Sequence, residues 1–165
     1  MTPSVEEFVT RYGGIYEHSP WVAEAAAAKV SAADDVERIA AVMAECVDTA
    51  PDERQLELIR AHPDLAGRAQ VAGELTSDST SEQASAGLDQ CTPGEFDRFQ
   101  ELNRRYHEKF GFPFVLAVRG RGRAEILACF EKRLGNDSAT EFKTAIAEIH
   151  KIARLRLQAA ENADG

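Results

Sequence analysis

Apolar residues recur at helical spacing along almost the whole chain. Phe96, Phe99, Leu102, Tyr106 and Phe110 follow one another every three or four positions, which places them on one face of an α-helix. That run opens at Thr92-Pro93-Gly94-Glu95, a hydroxyl cap followed by proline at the first helical position and glutamate at the third. The same punctuation divides the rest of the chain. Ser4 and Glu7 have capping-box spacing ahead of Phe8, and Gly13-Gly14 closes that first helix. Ser19-Pro20 opens a second, with Trp21 and the alanines at 25–28. Asp34 or Asp35 caps a third, whose stripe is Val36, Ile39, Ala40, Met43 and Val47. Pro51-Asp52-Glu53 begins a fourth, which ends near Ala61-His62 because the residue before Pro63 is pushed out of the α region.

Residues 66–81 are the least regular stretch, and a helix resumes at Ser79 and runs through Leu88. Gly120 to Gly122 turns the chain into a helix bearing Ile126, Leu127, Phe130 and Leu134. Gly135-Asn136 stops it, and Ser138 or Thr140 starts a long last helix before a frayed polar tail at Glu161-Asn162-Ala163-Asp164-Gly165. One segment departs from the pattern. Gly111-Phe112-Pro113-Phe114-Val115-Leu116-Ala117-Val118 is apolar and β-leaning, yet there is no second strong strand run for it to pair with. It reads as a buried extended segment between helices. The expected fold is all-α: a single domain over residues 1–165, a bundle of about eight helices with one buried extended segment near 111–118.

Composition narrows the function classes. The chain has 165 residues and a formal charge of −9, from 28 acidic and 19 basic side chains. A phosphate backbone needs a basic surface, so nucleic acid is not expected as a partner. No apolar run approaches membrane-spanning length, so no membrane is expected either. The N-terminus is acidic and lacks the apolar core of a signal peptide. Cys46, Cys91 and Cys129 are far apart and form no CxxC pair; they read as small core residues in a reducing compartment, which points to the cytoplasm. No HExxH, GxSxG or P-loop pattern is present, and no metal-ligand spacing accompanies the histidines.

Three positions stand out as candidates for chemistry. His62 precedes Pro63 and leads into a Gly-containing loop, where side chains carry function more often than stability. The plainer reading is a histidine favouring the negative end of a helix. Glu82 closes Ser79-x-x-Glu82, which is a capping box in its own right. The same geometry would present the first turn of a helix to an anionic or carbonyl group. Arg156 falls four residues after Ile152 and three after Ala153, at the centre of the apolar face traced by Phe142, Ala145, Ile146, Ile149, Ile152 and Ala153. Arg154 falls on the opposite side. An arginine on a core face needs a carboxylate, either from the protein or from a bound anion. His18, His107 and His150 fall at surface or lateral positions.

Taken together, the ordered motifs resemble a known family. His62-Pro63-Asp64-Leu65, Leu75-Thr76 with Ser79-x-x-Glu82-Gln83 and Ala86-Gly87-Leu88, and Leu102-Asn103-x-x-Tyr106-x-x-Lys109-Phe110-Gly111-Phe112-Pro113-Phe114-Val115 look like the 2-oxo-4-hydroxy-4-carboxy-5-ureidoimidazoline (OHCU) decarboxylases. The closing Ile149-His150-Lys151-Ile152-Ala153-Arg154-Leu155-Arg156-Leu157 fits the same pattern. Each motif is short, but their order and spacing together span nearly the whole chain.

The resemblance implies an all-helical, cofactor-free enzyme, usually dimeric, that takes OHCU to (S)-allantoin and CO₂ in urate degradation. It implies that His62 is the acid/base residue and that Glu82 assists it. It also implies that Pro63, Ser79, Thr80, Ser81, Gln83, Phe114, Val115, Leu116, Ala117, Val118 and Arg156 shape the site and bind the substrate. Two other readings compete with it: a helical adaptor whose acidic surface binds a basic partner, and a decarboxylase of a related ureidoimidazole substrate.

Overall fold

The structure is a computed structural model that describes residues 4–31, 34–66 and 75–164. The described residues form eight α-helices, one short 3₁₀ turn and no strand. The helices are α1 (Val5–Tyr12), α2 (Trp21–Ala27), α3 (Val36–Asp48), α4 (Asp52–Arg60), α5 (Ser77–Ser85), α6 (Pro93–Phe110), α7 (Arg123–Leu134) and α8 (Ser138–Asp164). The all-α expectation and the helix count both hold.

Local signals set most of the boundaries. Ser4 and Glu7 form the expected reciprocal capping box at the start of α1. The Asp35 side chain, rather than Asp34, accepts the Arg38 N–H and caps α3. Thr92 and Glu95 form a second capping box at α6, with Pro93 at the first helical position. That helix ends at Gly111, whose φ of 76° is left-handed and favours glycine.

Three boundaries differ from the sequence reading. α5 starts at Ser77, not Ser79, because Thr76 sits in extended conformation and its hydroxyl accepts the Ser79 N–H at 3.2 Å. It also stops at Ser85, and the left-handed Gly87 (φ 74°) leads into the 3₁₀ turn Leu88–Gln90. α8 runs on to Asp164, so residues 161–164 continue the helix and are not a tail. Of the irregular stretch expected at 66–81, residues 67–74 lie outside the described residues.

The chain falls into two compact units, residues 1–61 with 149–165, and residues 62–148. In the first, α1 packs on α2 and α2 on α3. Its core includes Phe8, Tyr16, Val22, Met43, Leu58 and Ile59, with Ile149 and Leu157 from the end of α8. In the second, α6 packs on α7 around Phe99, Leu102, Tyr106, Ile126 and Phe130. Gly111–Val118 is non-helical, and Phe112 to Leu116 and Val118 are buried, as expected of an extended core segment. Among the described residues, no helix is long and apolar enough to cross a membrane.

Candidate active site

The turn that follows α4 carries the first candidate. Ala61 is the C-cap of α4, and His62 comes next as a buried side chain, 8% exposed, although it follows the helix end as a loop residue. The backbone behind it is tied down by side chains. The Gln83 carboxamide spans the turn: its Oε1 accepts the Ala66 N–H at 3.0 Å, and its Nε2 donates to the Asp64 carbonyl at 3.2 Å. From α6, Gln100 Nε2 donates to the Ala66 carbonyl at 2.7 Å, and Asn103 Nδ2 donates to the Leu65 carbonyl at 3.0 Å. His107 Nε2 lies 2.8 Å from Asp64 Oδ1. Residues 100, 103 and 107 share one helical face, so α6 presents its polar groups to the turn as a set.

This fastening has a local cause. Ala66 has a φ of 50°, a left-handed conformation that a residue with Cβ adopts only when its surroundings hold it there. Both of its backbone polar groups are engaged, the N–H by Gln83 and the carbonyl by Gln100.

Helix α5 carries the second group of candidates. Ser79 and Gln83 are one turn apart and buried, Glu82 is half-buried beside them, and Thr80 and Ser81 are exposed. Because Thr76 is the cap, Ser79-x-x-Glu82 is not a capping box, and Glu82 lies in the second turn of α5. Its position is therefore not explained by helix capping. Pro63 is half-buried.

The extended segment is the third element. Phe114, Val115, Leu116 and Val118 are buried and Ala117 is half-buried. Arg133, itself buried on α7, donates from Nη1 to the Val115 carbonyl at 2.7 Å. Its guanidinium lies 4.4 Å from the centroid of the Phe114 ring, which stacks on Phe130 at 3.9 Å. The Ala117 N–H donates to Glu148 Oε1 at 3.2 Å, and the Ala117 carbonyl accepts from Arg121 Nε at 3.1 Å. Side chains thus take the ladder role that no second strand fills. Tyr106 packs edge-on against Phe114 at 5.5 Å, so α6 touches the His62 turn through Asn103 and the extended segment through Tyr106, one turn further on.

The charge on Arg133 is matched by Glu141, which is fully buried and meets Arg133 Nη2 at 2.8 Å. Tyr106 Oη (2.5 Å) and Asn136 Nδ2 (2.8 Å) complete the coordination of that carboxylate. Burial by itself pushes the Glu141 carboxyl up. The hydrogen bonds from Arg133, Tyr106 and Asn136 outweigh it and hold the group below the ordinary carboxylate range. Burial, and then the bond to Glu141, drive the Tyr106 phenol well above its usual value.

Sequence reasoning missed this network. Arg133 falls seven residues after Ile126 and three after Phe130, on the apolar face of that helix. The core-face argument that singled out Arg156 would have found it. Gln100 and His107 had no comparable signal, since polar residues on a helix face are ordinarily solvated.

Arg156 belongs to the first unit. It is buried as expected, and its carboxylate partner is Glu17, at 2.8 Å and 1% exposed. Nη1 of the same guanidinium donates to the Ile15 carbonyl at 3.3 Å. Arg154 is exposed, on the solvated side that the helical periodicity assigns to it, and pairs with Glu37 at 2.7 Å. His150 bridges Tyr16 Oη at 2.8 Å and Asp48 Oδ1 at 2.9 Å within the same unit. Among the described residues, no group of three or more His, Cys, Asp or Glu side chains is arranged to hold a metal ion.

Comparison with known proteins places these features in a lineage. The family model described as OHCU decarboxylase matches residues 2–158. The 2-oxo-4-hydroxy-4-carboxy-5-ureidoimidazoline decarboxylase of Haloferax volcanii is 45% identical over 152 residues, covering 92% of this chain and 88% of that protein. The crystal structure of (S)-allantoin synthase superposes with a TM-score of 0.74 at 32% identity, covering 96% of this chain and 51% of that one. This chain therefore spans about half of that protein. A crystal structure of OHCU decarboxylase in the presence of (S)-allantoin shares the fold, with a TM-score of 0.71 at 23% identity, over 89% of this chain and 94% of that one. The match along both units, with identity this high over nearly full length, shows that the chain belongs to the OHCU decarboxylase family.

Proposed function

We propose that this protein decarboxylates OHCU to (S)-allantoin, with His62 as the acid/base residue and Glu82 assisting it. The observation that carries the reading is the buried His62 on a turn fastened by Gln83, Gln100 and Asn103. A fixed imidazole is what stereospecific proton delivery needs, since a mobile acid would protonate either face.

The chemistry follows from the substrate. The bond from ring carbon C4, which also carries the hydroxyl, to the carboxylate breaks, CO₂ leaves, and the electron pair left behind delocalises into the adjacent ring C5=N bond, giving an enol- or enolate-like C4=C5 unit. His62 then gives a proton to C5, the ureido-bearing carbon, on one face, while the C4 hydroxyl gives up its proton and becomes a ring carbonyl of (S)-allantoin. Polar groups that strengthen as the enolate forms lower the barrier. Glu82 orients the imidazole and balances its charge. Arg156 is assigned the substrate's anionic group on its chemistry alone, as a buried guanidinium held by Glu17 through Nη2 and by the Ile15 carbonyl through Nη1. Ser79, Thr80, Ser81, Gln83 and Pro63 shape the polar side of the site, with Gln83 acting through the turn that it holds. Phe114 to Val118 form the apolar wall. The functional unit is the whole span 1–165 as one domain, supported by a family match that crosses both units, and the active form is a cytoplasmic homodimer.

The test is circular dichroism of the allantoin formed from freshly generated OHCU, with and without the protein. The expected result is (S)-allantoin at a rate above the spontaneous one. Racemic allantoin at the spontaneous rate would refute the assignment.

A further inference from the structure

Asn103 is 4% exposed, and only one end of its side chain is used. Nδ2 donates to the Leu65 carbonyl at 3.0 Å, which fixes the orientation of the amide, since the flipped form would set two acceptors against each other. That leaves Oδ1 as a buried acceptor with no hydrogen-bond partner among the described residues. Orphan acceptors of this kind are rare in folded proteins, and each calls for a cause. The surroundings supply one. Asn103 holds the turn that carries His62, and Tyr106, one helical turn along α6, packs on Phe114 of the extended segment. Asn103 therefore stands on α6 at the His62 turn, one helical turn from the contact that α6 makes with the extended segment.

We infer that Asn103 is a further substrate-binding residue, whose Oδ1 accepts a hydrogen bond from a ureido or ring N–H of the substrate while Nδ2 holds the His62 turn. The inference rests on the proposed function. Urea-type groups are rich in N–H donors, and a ligand that donates to Oδ1 completes an amide that is otherwise half-satisfied. The arrangement also gives specificity, because an analogue without that N–H leaves the buried oxygen unpaired. Asn103 couples binding to position: the same side chain reads the substrate and sets the backbone behind the imidazole.

The test is calorimetric titration of the protein with (S)-allantoin, the product of the proposed reaction, alongside thermal unfolding. Asn103→Leu should weaken binding about 10-fold or more, as expected for a lost hydrogen bond in a buried site. An affinity equal to wild type, with only the melting temperature lowered, means that Oδ1 serves a structural water, and overturns the inference. Asn103→Asp gives a second readout that holds even where the leucine variant does not fold. In its protonated form it offers an O–H to the Leu65 carbonyl and an oxygen in place of Oδ1, so its affinity should climb toward wild type as pH falls. A flat profile at reduced affinity also overturns the inference. Wild-type protein that neither binds (S)-allantoin nor speeds OHCU loss sinks the proposed function and this inference with it; an active wild type with unaffected variants sinks the inference alone.

Discussion

The Gln83 carboxamide joins α5 to the His62 turn: Oε1 accepts the Ala66 N–H at 3.0 Å while Nε2 donates to the Asp64 carbonyl at 3.2 Å. A buried side chain with both ends on backbone acts as a brace, and the residue it braces is in the left-handed conformation. Gln83→Ala leaves the Ala66 N–H buried and unpaired, which costs about 1–3 kcal/mol. We expect that loss in urea unfolding together with a fall in kcat, because His62 is no longer held. A variant destabilised to this extent but with unchanged kcat would show that the brace serves the fold alone.

His62→Ala and His62→Asn should abolish the catalysed reaction and leave the far-ultraviolet circular dichroism of the helices intact. An undiminished rate in either variant removes His62 from the mechanism.

Glu82 is separable from helix capping because Thr76 holds the N-cap of α5. Thr76→Ala should cost about 1 kcal/mol of stability, as lost caps do. Glu82→Ala should change stability by less than Thr76→Ala and yet lose most of the activity. The comparison requires both thermal unfolding and turnover of OHCU; activity that falls only in step with stability would reduce Glu82 to a structural residue.

Arg156 and Glu17 must be tested as a pair. Arg156→Ala alone strands a buried carboxylate, at a cost of about 3–5 kcal/mol, so lost activity would say little. The double variant Arg156→Ala with Glu17→Ala removes both charges and should recover much of that stability. We expect it to fold and to bind OHCU and (S)-allantoin poorly. Wild-type KM in the double variant would show that Arg156 does not touch the substrate.

The Arg133–Glu141 pair predicts an acid limb of stability. The Glu141 carboxyl lies lower in the folded chain than in the unfolded one, against the upward push of burial, because of its bonds to Arg133, Tyr106 and Asn136. Its contribution is therefore complete above the unfolded carboxyl value of about 4.3 and is lost as pH falls through the folded value. Glu141→Gln should be destabilised by about 3–5 kcal/mol near neutral pH. Its stability should also fall less steeply than that of wild type in urea titrations carried from pH 7 to pH 3. Parallel slopes would contradict the assignment.

What the sequence determined by itself was local. Capping boxes at Ser4 and Thr92, the left-handed Gly111 and the helix stop before Pro63 each follow from a few adjacent residues, so the helices and the all-α class were legible. The burial of Arg156 was legible too, because 3.6-residue periodicity assigns a face without knowledge of the partner. What only the tertiary structure decided was which long-range partner each polar group found. Gln83, Gln100 and Asn103 meet one turn across 17 to 38 positions of sequence, and Glu17 meets Arg156 across 139. No local pattern encodes such pairings. The cap of α5 moved from Ser79 to Thr76 because both offer a hydroxyl, and the choice rests on which serine and glutamine the packed helix buries. Arg133, Glu148 and Arg121 took over the extended segment for the same reason: an extended segment without a neighbouring strand has to satisfy its backbone from side chains, and the fold alone determines which side chains are within reach.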